Sequence, residues 1–298
     1  MERTTIAVDP HLDLGSTLAP LRHGSIDPTI KITAKEAVRA TNTPDGPTTV
    51  HLKHAGDLVT ATAWGPGAVW ALDRAPSWLG HEDAPSDFRP GDPLLGRLHR
   101  ENPGLRMCRS LAAVELAVPT ILEQKVTTKE ATRSYAALVH RYGTPAPGPA
   151  RLKVPPAPET LAELPYFAFH PLGIERRRAE VLRRICSVAD RIDAVVERGS
   201  ADLQRALLSI PGIGPWTTAI VAQAALGDPD AVITGDYHLP NIVGWALAGK
   251  PRSTDAEMLS LLAPYRGHRA RATRLIVGAG FRAPSFGPKR PLRDIAGL

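Results

Sequence analysis

Cysteine is nearly absent from this chain, with Cys108 and Cys186 the two among 298 residues. Two thiols are too few for a four-cysteine iron–sulfur cluster. No Cys/His group has zinc-ligand spacing, so neither metal centre is expected. So little cysteine suits a reducing compartment and excludes a disulfide scaffold. Long apolar runs are missing too. None approaches membrane length, and Met1-Glu2-Arg3-Thr4-Thr5 lacks the apolar centre of a signal peptide. The expectation is a cytoplasmic protein with no membrane partner. No internal repeat is present. What remains is long enough for two or three small domains around real cores, and it carries a net charge of +6. Residues 251–298 hold nine Lys and Arg against three Asp and Glu, which is +6 by themselves, while the preceding 250 balance to zero. Arg266, Arg269, Arg271 and Arg274 in this basic end are candidates for phosphate contacts or for a solvated helix face. A second run, Arg176-Arg177-Arg178 with Arg183 and Arg184, reads as the polar side of an amphipathic helix.

The stretch Leu207-Leu208-Ser209-Ile210-Pro211-Gly212-Ile213-Gly214-Pro215-Trp216-Thr217-Thr218 reads as two helices joined by a glycine hairpin. Residues 200–208 carry Leu203, Ala206 and Leu207 at helical spacing, with Ser200 as the expected N-cap. Pro211 and Gly212 stop that helix, because proline cannot continue the ladder and glycine reaches left-handed angles cheaply. Gly214 has no Cβ, so a backbone or an anion can come close. Pro215 suits the first turn of a second helix running to about residue 225. Free N–H groups at the positive end of that helix make an anion site suited to a DNA phosphate, with Gly212, Ile213, Gly214 and Thr217 around it. The carbonyls of Leu208, Ile210 and Ile213 converge on the same turn and could hold a monovalent cation, Na+ or K+, that bridges to the phosphate. An ordinary tight turn between core helices is the alternative. The apolar residues before it and Trp216-Thr217-Thr218-Ala219 after it favour the DNA reading.

Twenty residues beyond Trp216 stands Asp236. The segment Val232-Ile233-Thr234-Gly235-Asp236-Tyr237-His238-Leu239-Pro240-Asn241 passes from an extended apolar run into a new helix, with Asp236 at the expected N-cap. A helix N-terminus favours the ionised carboxylate, and an anion is what a cationic sugar transition state requires. A cap without chemistry is the competing reading, and one residue can serve both roles.

The hairpin, the spacing to Asp236 and the flanking helices resemble the helix-hairpin-helix DNA glycosylases, and within them the 3-methyladenine DNA glycosylase II type. The resemblance extends through Asp92-Pro93-Leu94-Leu95-Gly96-Arg97-Leu98, Pro103-Gly104-Leu105-Arg106, Ile121-Leu122-Glu123-Gln124-Lys125-Val126 and Tyr265-Arg266-Gly267-His268-Arg269, roughly residues 90 to 280. It implies that Asp236 is the catalytic carboxylate, that no cofactor is required beyond a structural Na+ or K+, and that the partner is double-stranded DNA containing a damaged base, bound by a monomer at the nucleoid. Relatives that also nick the strand carry a lysine whose amine forms a Schiff base. Here that position is Trp216, which implies a monofunctional enzyme that leaves an abasic site. Trp216 could stack on a flipped cationic base or pack the hairpin. Gln124-Lys125-Val126 matches the tip where relatives insert an apolar wedge. Lys125 could fill the gap with its stem, contact a phosphate or remain surface, and Gln124 joins it as a DNA-contact candidate. Tyr237 and His238 are pocket candidates, with His238 read as a spacer and not a proton shuttle. Two aromatic positions of relatives appear here as Ile220 and the run Leu275-Ile276-Val277, which leaves the substrate range open. A noncatalytic DNA binder, and a glycosylase for a bulky, oxidised or mismatched base, are the rival readings.

The expected fold is mostly α, a helix-hairpin-helix core of two helical subdomains behind a small antiparallel α/β domain. The boundaries are 1–90 for the N-terminal domain, 91–282 for the helical core with its hairpin at 207–216, and 283–298 for a proline- and glycine-rich tail, extended or disordered. Alternating Thr49-Val50-His51-Leu52-Lys53-His54 and Leu58-Val59-Thr60-Ala61-Thr62-Ala63-Trp64, with turn residues Thr43-Pro44-Asp45-Gly46, predict strands in the first domain. A helix over 69–79 packs on the sheet. Helices are predicted at 110–124, 128–142 with a Thr127/Glu130 capping box, 175–197, 200–208, 215–225, 237–248, 255–263 and 267–279, with an irregular loop over 143–165.

Overall fold

The computed structural model describes residues 1–284, so the tail expected at 283–298 lies almost wholly outside the described residues. The chain opens with β1 (Glu2–Ala7) and α1 (Leu14–Leu18), then β2 (Ile30–Ile32), β3 (Glu36–Thr43), β4 (Gly46–Ala55), β5 (Leu58–Trp64) and α2 (Ala68–Trp78). The strands form an antiparallel sheet in the order β1-β5-β4-β3-β2. The predicted turn is where β3 meets β4, with Thr43 opposite Gly46. Period-2 alternation in β5 turns Val59, Ala61 and Ala63 inward, against the Ala71, Leu72 and Ala75 face of α2.

Helices dominate thereafter: α3 (Pro93–Glu101), α4 (Ala113–Leu122), α5 (Thr128–Tyr142), α6 (Pro158–Glu163), α7 (Tyr166–Phe169), α8 (Arg176–Cys186), α9 (Ala189–Val196), α10 (Ser200–Leu208), α11 (Pro215–Leu226), α12 (Leu239–Ala248), α13 (Asp255–Leu262) and α14 (Arg269–Gly278). The capping box at the start of α5 is present as predicted. The single helix expected over 175–197 is two, because the Ser187 hydroxyl donates to the Arg184 carbonyl at 2.9 Å and Val188 leaves helical angles. The irregular loop over 143–165 contains a two-residue ladder, β6 (Thr144–Pro145) with β7 (Lys153–Val154), and then α6, which begins on Pro158.

Residue 90 does not divide the apolar cores. One core runs from Ile6 in the sheet to Ala225 in α11 and includes α2, α4, α8 and α10. A second, smaller core joins Phe88 and α3 to α12, α13 and α14. These are the two helical subdomains, and α3 crosses over to sit with the C-terminal helices. Polar ties fasten the sheet to the helices: Arg39 binds Glu115 of α4 at 2.7 Å, and the same carboxylate accepts the Thr41 hydroxyl at 2.7 Å. The buried Arg271 of α14 pairs with the buried Asp83.

Candidate active site at the glycine hairpin

The α10–α11 hairpin belongs to the first core, and the loop at 227–238 leads the chain on to the second. Gly212 holds φ +99, and a Cβ there would lie 2.3 Å from Cγ2 of Val181 in α8. Gly214 differs: its φ is −114 and a Cβ would meet nothing within 4 Å. The side of the hairpin that Gly214 faces is open. Pro215 is the first residue of α11, as the sequence predicts. Ser200 does not cap α10. Gly199 occupies that position, and the Ser200 hydroxyl donates to Asp228 instead.

Asp236 is half-buried just after this hairpin. α12 starts at Leu239, two residues later than predicted, because His238 and not Asp236 is the first flanking residue. The Asp236 side chain still caps the helix: its Oδ1 accepts from the backbone N–H groups of His238 at 2.8 Å and Leu239 at 2.7 Å. Its Oδ2 accepts from the Trp216 indole N–H at 3.1 Å. Trp216 therefore meets the carboxylate through its nitrogen. Tyr237 is 81% exposed and its ring lies edge-on to His238, 4.9 Å between centroids. Concavities of about 400 and 340 Å³ lie elsewhere, between α6 and the α8–α9 junction and beside β1, and Asp236 lines neither.

The sequence reading missed the groups that fix this arrangement. Gln124, expected at DNA, donates through Nε2 to the Thr217 hydroxyl at 2.9 Å and to the Gly212 carbonyl at 3.2 Å. Thr217 is 1% exposed, so this residue, expected at DNA, is interior. Lys125, beside Gln124, is exposed and holds φ +59, a costly angle for a side-chain-bearing residue. The arginine run on α8 is more than a polar face. Buried Arg178 donates to the Leu122 carbonyl at 2.8 Å, and Arg184 to the Pro211 carbonyl at 3.1 Å. Both therefore lock the Lys125 turn and the hairpin to α8. A charged residue in an amphipathic pattern gives no sequence signal for this.

The loop at 227–238 is pinned in the same way. Asp230 accepts from the backbone N–H groups of Gly267 at 2.8 Å and Arg269 at 3.1 Å, and from the Arg269 guanidinium at 2.8 and 2.5 Å. Burial alone would raise the Asp230 carboxyl, but these donors outweigh it and hold it below the usual carboxylate range. The candidate phosphate arginines are largely committed as a result. Arg269 belongs to Asp230, Arg271 is buried against Asp83, and Arg274 donates to the Ser16 carbonyl at 2.6 Å. Arg266 alone of the four is exposed.

Residues 118–265 match the HhH-GPD superfamily of base excision DNA repair proteins. The chain belongs to that superfamily. It is 34% identical over 226 residues to a probable bifunctional transcriptional activator/DNA repair enzyme AlkA of Mycobacterium tuberculosis, covering 73% of this chain and 42% of that one. It is 29% identical over 145 residues to DNA-3-methyladenine glycosylase 2 of Escherichia coli, 48% of this chain and 51% of that one. The chain thus spans 42 to 51% of the length of these two curated relatives. A 3-methyladenine DNA-glycosylase from Archaeoglobus fulgidus has the same fold, with a TM-score of 0.75 at 20% identity over 93% of this chain and 98% of that chain. The superfamily match spans the Lys125 turn, the hairpin and Asp236. Two of the aliphatic residues read from the sequence as departures, Leu275 and Ile276, are buried in the second core, Ile220 is half-buried, and Val277 is exposed at 41%.

Proposed function

We propose that this HhH-GPD protein is a monofunctional DNA glycosylase that removes alkylated, 3-methyladenine-like bases from double-stranded DNA in base excision repair. The observation that carries the reading is Asp236, an acid held beside the hairpin by one indole and two backbone N–H groups. The DNA strand lies on the hairpin, one phosphate taking the N–H groups of Gly214 and Trp216 at the open side of Gly214. A monovalent cation suits the hairpin carbonyls. Leu208 is the last residue of α10, so its carbonyl has no intrahelical donor, and the Ile210 carbonyl spends one lone pair on the Ile213 N–H at 3.0 Å. Such an ion, held also by the Ile213 carbonyl, would supply positive charge for the phosphate.

The target nucleotide swings out of the stack, at a cost of a few kcal/mol that is least for damaged bases. Tyr237 and His238 flank its entry. A base alkylated on a ring nitrogen is already cationic, so cleavage of the C1′–N bond sends the bonding electrons to the base, which leaves neutral. Positive charge passes to the deoxyribose, and the Asp236 carboxylate stabilises it. Water adds at C1′ and its proton goes to Asp236 or to solvent, leaving an abasic site. Trp216 has no amine to form a Schiff base, so strand nicking does not follow.

Base release from a panel of duplexes bearing methylated, oxidised and mismatched bases tests this reading, with Asp236→Asn as the control. The methylated duplex should lose base, and Asp236→Asn should bind it but turn it over at least about 100-fold more slowly. Release from the methylated duplex by Asp236→Asn at the wild-type rate would remove the carboxylate from the mechanism. A borohydride-trapped covalent complex would overturn the monofunctional assignment and point to a lysine, Lys125 first.

A further inference from the structure

A catalytic carboxylate needs a direction as well as a charge, and the residue before Asp236 shows how the direction is set. Gly235 holds φ +76, yet a Cβ there would meet nothing within 4 Å. Space does not require glycine at this position; the left-handed backbone does. The Gly235 N–H donates to Oδ2 of Asp255 at 2.8 Å. Asp255 is the first residue of α13, whose core is the second helical subdomain, whereas Trp216, on the other side of Asp236, belongs to α11.

Helix capping does not account for Asp255. Thr254 and Glu257 already make a complete capping box at the start of α13. Fold stability does not account for it either, because Asp255 Oδ1 is buried and has no hydrogen-bond partner among the described residues. A buried acceptor in that state costs free energy and calls for an explanation. We infer that Asp255 is a positioning residue for base excision. By holding the Gly235 N–H, it fixes the left-handed peptide that leads into Asp236, so that Trp216 from one subdomain and Asp255 from the other aim the carboxylate between them. This rests on the glycosylase reading of Asp236. Displacement of a reacting group by about 1 Å costs up to two orders of magnitude in rate, which is the range in which the loss of Asp255 should fall.

The test uses the full chain as Asp255→Ala and Asp255→Asn. Three quantities are measured: single-turnover base release with enzyme in excess, affinity for a duplex carrying a non-hydrolysable abasic analogue, and the indole N–H resonance of Trp216, assigned by its loss in Trp216→Phe. Asp255→Ala should slow release by roughly 10- to 100-fold with duplex affinity and melting temperature unchanged, and it should move the indole resonance. Asp255→Asn keeps an oxygen that accepts from Gly235, so it should restore most of the rate and return the resonance. A wild-type rate and an unmoved resonance in Asp255→Ala overturn the proposal. So does equal slowing in both variants, which would make the charge and not the hydrogen bond responsible. If the wild-type protein releases no base from any duplex, the glycosylase reading fails, while the indole resonance still decides whether Asp255 governs the position of Asp236.

Discussion

Gly212→Ala is the sharpest probe of the hairpin, because two separate costs meet at one atom. Backbone at φ +99 costs a residue with a Cβ about 1–2 kcal/mol. The new methyl would also lie 2.3 Å from Cγ2 of Val181. Val181 is β-branched, helical and 2% exposed, so it cannot swing aside by changing χ1. The hairpin must then lift from α8, which strains the bond from Arg184 to the Pro211 carbonyl and that from Gln124 to the Gly212 carbonyl. Overpacking of this kind costs about 1–3 kcal/mol. The expected total is about 2–5 kcal/mol, or a melting temperature lower by about 3–8 °C for a chain of this size. DNA affinity should fall with it, since the phosphate site is the same backbone. Thermal unfolding of Gly212→Ala, Val181→Ala and the double variant checks the division. Val181→Ala removes the clash but not the backbone cost, so the double variant should be more stable than the sum of the singles by about 1–3 kcal/mol. Additivity within about 0.5 kcal/mol would refute the steric argument.

Gly214→Ala should behave in the opposite way: its Cβ enters open space at an ordinary φ, so stability should hold or rise by about 0.5 kcal/mol while duplex affinity measured by anisotropy weakens. An unchanged affinity would mean that no phosphate approaches there. Arg271→Met should lower stability by about 3–5 kcal/mol, since it strands Asp83 in a site where both side chains are almost wholly buried; chemical denaturation reads this, and a neutral outcome would show that Asp83 is protonated or hydrated. His99 and His268 are both held below their ordinary 6.5, by burial first and by the Arg271 charge next. The unfolded chain therefore takes up protons that the native protein refuses as pH falls through 6.5, and stability declines there. Melting temperatures between pH 7.5 and 5 should drop less in His99→Gln/His268→Gln than in wild type, and equal slopes would refute it.

Local chemistry made much of this fold readable in advance. The capping box at Thr127, the β3–β4 turn and the Pro211–Gly214 hairpin each depend on a few adjacent residues, and each is where the sequence places it. What escaped depends on contacts made across the chain. Nothing local tells that α3 joins α12–α14. Charged residues were the hardest to read. Arg178, Arg269, Arg271 and Arg274 look alike in sequence, and each ties down a backbone carbonyl or a carboxylate, from positions up to 258 residues away. Gln124 lies at the hairpin and binds it directly, a contact that no local pattern carries.

The loop at 227–238 has no regular ladder, and a site on such a loop is ordinarily less exact than one on a helix or strand. Here side chains replace the ladder. Asp228 accepts from the N–H groups of Asp230 at 2.7 Å and Ala231 at 3.1 Å; Gln223 donates to the Ala231 carbonyl at 2.7 Å; Asp230 is fastened to α14, and Asp255 to Gly235. Four aspartates thus meet within one loop and its supports, and chemistry could be assigned to any of them by type alone. Their partners separate them. Asp228 and Asp230 accept from the donors that hold the loop together, and Asp230 is further neutralised by a guanidinium. Asp255 accepts from the backbone of Gly235. Asp236 is the one that caps a helix with one oxygen and turns the other to the hairpin helix, where Trp216 meets it. A carboxylate fixed by neutral donors keeps its full charge for a cationic sugar, whereas one paired with arginine has already spent it. On that ground the proposed role falls to Asp236 and not to Asp230.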